Sequence, residues 1–325
     1  MASQTRGLDT MSMHFREIAE QAAADGTITA VEILALRREG WASGRIEPVE
    51  AEALFVINDR MARHAREWSD FFVEALGEFI INGVEPKGYV DETQADWLIA
   101  KIDHDGKLNS MTELELLIRL FERAKSVPDR LREFALEQIE RAVLTGQGPT
   151  RCGGSLQKGN VTGAEAKLMR RIMFSSGSER PAAVSRKEAE LLYRIKDATL
   201  GANNSPEWKR LFVQGVGNFL MGFNSHTPLS RERAAELESF MNDHSSSIGG
   251  FFGRMAKHAV KGTMFDGFGS DEPEGPGLEV RVDEARELTT SEKTWLEGKI
   301  DGNARVDEFD QALLDFIAEE TGETR

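Results

Sequence analysis

Apolar residues recur at three- and four-residue intervals in several stretches of the chain. Phe72, Ala75, Leu76, Phe79 and Ile80 form one stripe, and Phe212, Val216, Phe219 and Leu220 form another. Leu114, Leu117, Ile118 and Phe121 make a third, and Phe309, Ala312, Leu313, Phe316 and Ile317 a fourth. This spacing puts the apolar side chains on one face of a helix. No useful length of chain alternates apolar and polar residues as a half-buried strand does. The expected fold class is therefore all-α, built of short capped helices with no sheet of significance.

A short phrase repeats along these stripes: an apolar residue, a capping residue, then an acid or amide three places on. Ile28, Ile46, Val90, Leu108, Val161, Val184, Leu288 and Val306 stand at the same point of the phrase. They come in pairs, with one spacing shared by 28/46, 90/108 and 288/306 and a longer one for 161/184, where Ser175–Pro181 reads as a loop insertion. Larger blocks match as well. Glu67–Ile80 lies over Glu207–Leu220, Trp97–Asp103 over Trp295–Asp301, and Glu50–Asp59 over Glu188–Asp197. Trp68 pairs with Trp208 and Trp97 with Trp295, leaving one of the 5 tryptophans unmatched. Such self-similarity points to an internally duplicated helical-repeat protein.

Four units of about 60 residues fit this pattern, each too small to bury its apolar faces alone, so that pairs form domains. The expected organisation is a tail at 1–10, a first helical domain at 11–126 and a second at 127–325. The second carries a Gly/Pro-marked linker at 145–157 and an insertion at 244–287.

Ser, Thr or Asp followed three residues later by Glu or Gln is the helix capping box, and Thr29/Glu32, Asp91/Gln94, Thr162/Glu165, Ser185/Glu188 and Thr289/Glu292 all comply. The competing reading is a degenerate calcium loop, in which glycine at the sixth position and an acid at the twelfth frame a set of oxygen ligands. On that reading the candidate metal ligands are Asp25 and Glu32; Asp103, Asp105, Asn109 and Glu113; and Asp301, Asn303, Asp307 and Asp310. No loop has a full set. Gln21 and Ala23, Lys101, and Lys299 with Ala304 stand where ligands or the turn glycine are required.

Ala24-Asp25-Gly26-x-Ile28-x-x-x-Glu32 resembles the Ala-Asp-Gly-x-Ile-x-x-x-Glu signature of the tellurite-resistance TerB-like family, and Asp105–Glu113 is a looser echo with its Glu one place late. The resemblance implies a compact all-helical domain of two pseudo-repeats, usually non-enzymatic, here in two tandem copies. It also implies links to stress responses, the inner membrane face and divalent metals bound through acidic residues. The second half departs from the signature, with Lys158-Gly159-Asn160-Val161 offering no equivalent of Asp25.

Composition narrows the function. A chain of 325 residues with 40% hydrophobic content can build cores, and a net charge of −15 disfavours nucleic acid, whose phosphates need clustered cations. Cys152 is the only cysteine, which excludes an intrachain disulfide and points to a reducing compartment. No signal-like segment or membrane-spanning apolar run is evident. The 6 histidines lack metallohydrolase spacing, there is no Gly-x-Ser-x-Gly elbow, and no small-molecule substrate is indicated.

One segment breaks the acidic character. Residues 245–262 carry Arg254, Lys257 and Lys261 without an acid, beside Ile248, Phe251, Phe252 and Met255 at helical spacing. That combination suits an anionic membrane surface or a protein partner, and equally a helix that packs on the acidic body with its basic face compensating local charge. The expectation is a non-catalytic protein-interaction or membrane-peripheral helical protein in a stress-response or envelope-associated assembly, cytoplasmic and peripheral to the inner membrane. Its expected cofactor is none, or a weakly bound divalent cation, and the alternative is a calcium-binding regulator.

Overall fold

A computed structural model describes residues 13–61, 63–83, 86–103, 106–151, 158–177, 183–221, 290–301 and 306–321. The described chain is helical. In order it forms α1 (Met13–Asp25), α2 (Ala30–Gly40), α3 (Pro48–Arg60), α4 (Arg66–Asn82), α5 (Glu92–Ile102), α6 (Met111–Arg123) and α7 (Asp129–Thr145), with a 3-10 turn at Pro149–Arg151. Then follow α8 (Gly163–Met173), α9 (Arg186–Thr199), α10 (Pro206–Leu220), α11 (Thr290–Asp301) and α12 (Glu308–Thr321). Extended pairing among the described residues is limited to a single bridge between Tyr89 and Ser126.

The repeated phrase is where helices begin. Thr29, Asp91, Thr162 and Ser185 are N-caps whose side chains accept from the N3 amide, while Glu32, Gln94, Glu165 and Glu188 reach back to the cap. Glu47 and Glu50 form the same box at α3. Each box stabilises its helix by roughly 1 kcal/mol, because it satisfies amides that have no partner within the helix. The residue before the cap is buried at Ile46, Val90, Val161 and Val184, which fixes the entry of each helix. Thr289 lies outside the described residues, and Val306 is exposed.

Two compact units result. Among the described residues the first runs to Lys158 and includes 175–177, and the second takes 159–174 and everything from 183 onward. The division therefore falls at 158/159 rather than 126/127, because α7 packs on α6 and extends the first unit. Within the expected 145–157 linker, Gly146 caps α7 in a left-handed conformation (φ 72°), the 3-10 turn follows, and 152–157 lie outside the described residues.

In the first unit α4 is the central helix, packed against α2, α3 and α6. It buries Trp68, Phe71, Phe72, Ala75, Leu76 and Ile80, each large side chain contributing roughly 1.5–3 kcal/mol of apolar burial. In the second unit α10 has the same role against α8, α9 and α12, burying Trp208, Leu211, Phe212, Val216 and Leu220.

Residues paired in the sequence blocks make like contacts inside their own units. Phe55 stands edge-on to Phe72 (5.4 Å) and Trp97 (5.6 Å), and Trp97 meets Phe79 at 5.7 Å. Tyr193 stands edge-on to Phe212 (5.1 Å) and Trp295 (5.5 Å), and Trp295 meets Phe219 at 4.9 Å. Arg37 holds Glu74 in a bidentate pair at 2.7 and 2.8 Å, and Arg170 donates to Gln214 at 2.7 Å.

Glycines mark both crossings of the central helix. A Cβ at Gly217 would lie 2.4 Å from Phe316 Cε1, whereas one at Gly77 would meet Arg119 Cγ at 3.4 Å. Phe316 is buried and cannot give way as an arginine stem can. Gly217→Ala is therefore expected to cost about 1–3 kcal/mol from overpacking. Gly77→Ala is expected to be neutral or to gain up to about 1 kcal/mol of helix propensity. Urea midpoints of the two variants read the contrast.

Candidate functional site

Among the described residues each unit carries a buried polar centre where one helix, α3 or α9, meets the start of the closing helix, α6 or α12. In the first unit the N-cap of α6 is Ser110, one residue later than the phrase at Leu108 implies, because Glu113 at N3 completes the box with Ser110. Glu113 is buried and both its oxygens are engaged. Oε2 accepts from the amides of Asn109 (2.8 Å) and Ser110 (3.2 Å), and Oε1 accepts from Asn58 Nδ2 at 3.0 Å. Asn58 in turn accepts from Trp68 Nε1 at 3.2 Å, so the centre is a closed neutral-to-anion chain.

The second unit builds the same place with different chemistry. Lys196 of α9 stands where Asn58 stands in the matched block, with a relative exposure of 0%. Its Nζ donates to Asp307 Oδ2 at 2.7 Å and to Asp310 Oδ1 and Oδ2 at 3.0 and 3.2 Å, and lies 3.3 Å from Asp197 Oδ1. Asp307 is also the cap of α12, its Oδ1 accepting from the amides of Phe309 (2.8 Å) and Asp310 (3.0 Å), while Asp310 Oδ2 accepts from the Asp307 amide. The capping box and the ion cluster are thus one object.

Burial opposes the charge on Lys196, but the hydrogen bonds it donates to Asp307 and Asp310 outweigh it and hold the ammonium above its ordinary range. Burial pushes Asp310 up, with Lys196 only partly offsetting it. Asp307 is held down, since Lys196 and two backbone amides overcome its burial. Tyr193 is pushed far up by burial and by the charges of Asp310, Asp307 and Asp197.

The difference between Asn58 and Lys196 leaves a mark. Trp208 Nε1 finds no hydrogen-bond partner among the described residues, because a lysine offers no acceptor where Asn58 accepts from Trp68. Trp68→Phe is therefore expected to cost about 1–2 kcal/mol more than Trp208→Phe, since only the former orphans a buried acceptor. Chemical denaturation of the two single variants measures the difference.

Neither centre presents a reactive group to solvent. Lys196 is fully hydrogen-bonded and charged, which denies it nucleophilicity. The arrangement does one thing well: it ties the start of the closing helix to the helix that faces it.

The structure places the expected metal residues apart or in other roles. Asp25 ends α1 and is exposed, and Glu32 is the N3 partner of Thr29, accepting from its amide at 2.7 Å. Asp103 caps α5 and accepts from the Gly106 amide, and Asn109 is exposed. The Gly106 carbonyl accepts from Arg141, which sets a cation against this loop. Asp105 and Asn303 lie outside the described residues, as do Ile248, Phe251, Phe252, Arg254, Met255, Lys257 and Lys261 and the whole 244–287 insertion. Asp301 closes α11, and only its backbone is described.

Among the described residues no group of three or more His, Cys, Asp or Glu side chains converges as a metal site, and no helix is long and apolar enough to cross a membrane. The residues that sequence reasoning passed over are Asn58 and Lys196. The signal was present, since Ile57-Asn58-Asp59 and Ile195-Lys196-Asp197 stand opposite each other in matched helices. Compared with models of known families, with curated proteins and with solved structures, the chain matches none.

Proposed function

We propose that this chain is a non-catalytic helical module, duplicated from one ancestral unit, that works by holding a protein partner. Its setting is a cytoplasmic stress-response or envelope-associated assembly of the kind the TerB-like resemblance implies. Duplication is supported by the like contacts at paired positions, from the edge-on aromatics to the glycine crossings. A binding role without chemistry is supported by the fate of the buried acids, which are consumed as caps and ion-pair partners.

The observation that carries the reading is on α2. Val31 and Leu34, one turn apart, are 76% and 65% exposed, whereas the matched positions on α8 are Ala164 and Lys167. An apolar pair kept on one copy and replaced by small and charged residues on the other is what a contact surface special to the first unit requires. The basic 245–262 segment extends the proposal to an anionic membrane surface through sequence alone. Nothing among the described residues favours the calcium-regulator reading.

Crosslinking of the full chain in cells, with and without Val31→Glu and Leu34→Glu, tests the partner surface. The expected outcome is loss of α2-centred crosslinks with an unchanged melting temperature; crosslinks that persist contradict it. Liposome flotation with and without residues 245–262 tests the membrane arm, and equal recovery refutes it.

A further inference from the structure

The apolar faces that receive the closing helices are alike, with Trp68, Phe72 and Gly77 on one and Trp208, Phe212 and Gly217 on the other. Apolar contact of this kind is graded and discriminates weakly between two similar helices. The polar centres, by contrast, are mutually exclusive. Asn58 facing Asp307 and Asp310 would bury two carboxylates with no cation, and Lys196 facing Ser110 and Glu113 would lose one of its two buried acids.

The helix with the stronger requirement is also the one hardest to place. α5 and α6 follow α4 through a short connection, but residues 221–289 separate α10 from α11. A greater sequence separation raises the entropic cost of bringing α12 to its own seat. A buried ion network adds little net stability, and its best-attested use is to select one pairing or register.

We propose that Lys196, Asp307 and Asp310 are a pairing key that seats α12 on the face of α9 and α10 and keeps it off the similar face of α3 and α4. The inference rests on the duplicated reading above. A key of this kind is transferable: giving the second unit the first unit's set removes the distinction without removing the fit.

The test uses the full chain with Cys152→Ser and the transplanted set Lys196→Asn, Asp307→Ser and Asp310→Glu. Glu308→Cys with Lys209→Cys reports the native seat, where the two side chains pair at 3.1 Å. Glu308→Cys with Ser69→Cys reports the wrong seat, because Ser69 bonds Thr112 at the matching crossing in the first unit. After refolding from denaturant, a short bismaleimide traps either pair and mass spectrometry counts the products.

The transplanted set is expected to raise wrong-seat product at least about tenfold over the native key, the ratio that 1.4 kcal/mol of lost discrimination produces. Its melting temperature is expected to stay within about 3 °C, while Lys196→Asn alone falls further. A retained melting temperature with no rise in wrong-seat product overturns the key alone. A transplant as damaged as Lys196→Asn overturns the duplicated reading, and the key with it.

Discussion

Lys196→Met is expected to cost the second unit about 3–5 kcal/mol, because it strands Asp307 and Asp310 in the core without their cation. That is a large part of the 5–15 kcal/mol that holds an ordinary domain together. The size of the loss comes from what is left behind rather than from the worth of the pair. Lys196→Met combined with Asp307→Asn and Asp310→Asn is accordingly expected to recover wild-type stability or exceed it by about 1–4 kcal/mol. Urea unfolding followed by circular dichroism separates the two variants.

The same cluster sets an alkaline limit. Lys196 is raised above its ordinary 10.5 and Tyr193 above its ordinary 10.0, so both keep their protons in the folded unit where the unfolded chain has released them. A group raised on folding contributes stability that is complete below its unfolded value and is lost as pH climbs toward its folded one. Stability of the second unit is therefore expected to fall from about pH 10 upward. The first unit has Asn58 and Phe55 at these positions, neither of which titrates. Adding Tyr193→Phe to the neutralised triple variant is expected to flatten the profile.

Glu113→Ala is expected to destabilise the first unit by about 2–4 kcal/mol, because it orphans two amides and the buried Asn58 amide nitrogen together. Glu113→Gln keeps an acceptor for the box and is expected to lose roughly half as much. Both losses should be the same in calcium and in chelator. A ligand role at the twelfth position of a metal loop predicts instead that the variant and wild type converge once calcium is removed. Thermal melts in the two buffers distinguish these outcomes.

What was legible in the sequence was whatever depends on local order. Caps and helix starts follow from residues three apart, so Thr29/Glu32 and Ser185/Glu188 could be read directly. The start of α6 slipped by one residue because Leu108-Asn109 imitates the phrase while Ser110 and Glu113 carry the box. Long-range pairing was illegible in the same way. Asp307 and Asp310 sit where a metal loop would hold ligands, and only the fold brings them to a lysine of α9. The unit boundary moved because α7 shares the helical pattern of the leading helices, and periodicity alone does not say which neighbour it packs against.

Direct titration of the full chain with calcium by isothermal calorimetry is the most direct test of the central claim, that the acids of the recurring phrase are spent on helix starts and pairing. At calcium up to about 1 mM, within the range where extracellular-type loops still bind, the account predicts no saturable heat and no thermal shift. Saturable heat that disappears in Glu113→Ala or in Asp307→Asn would contradict it.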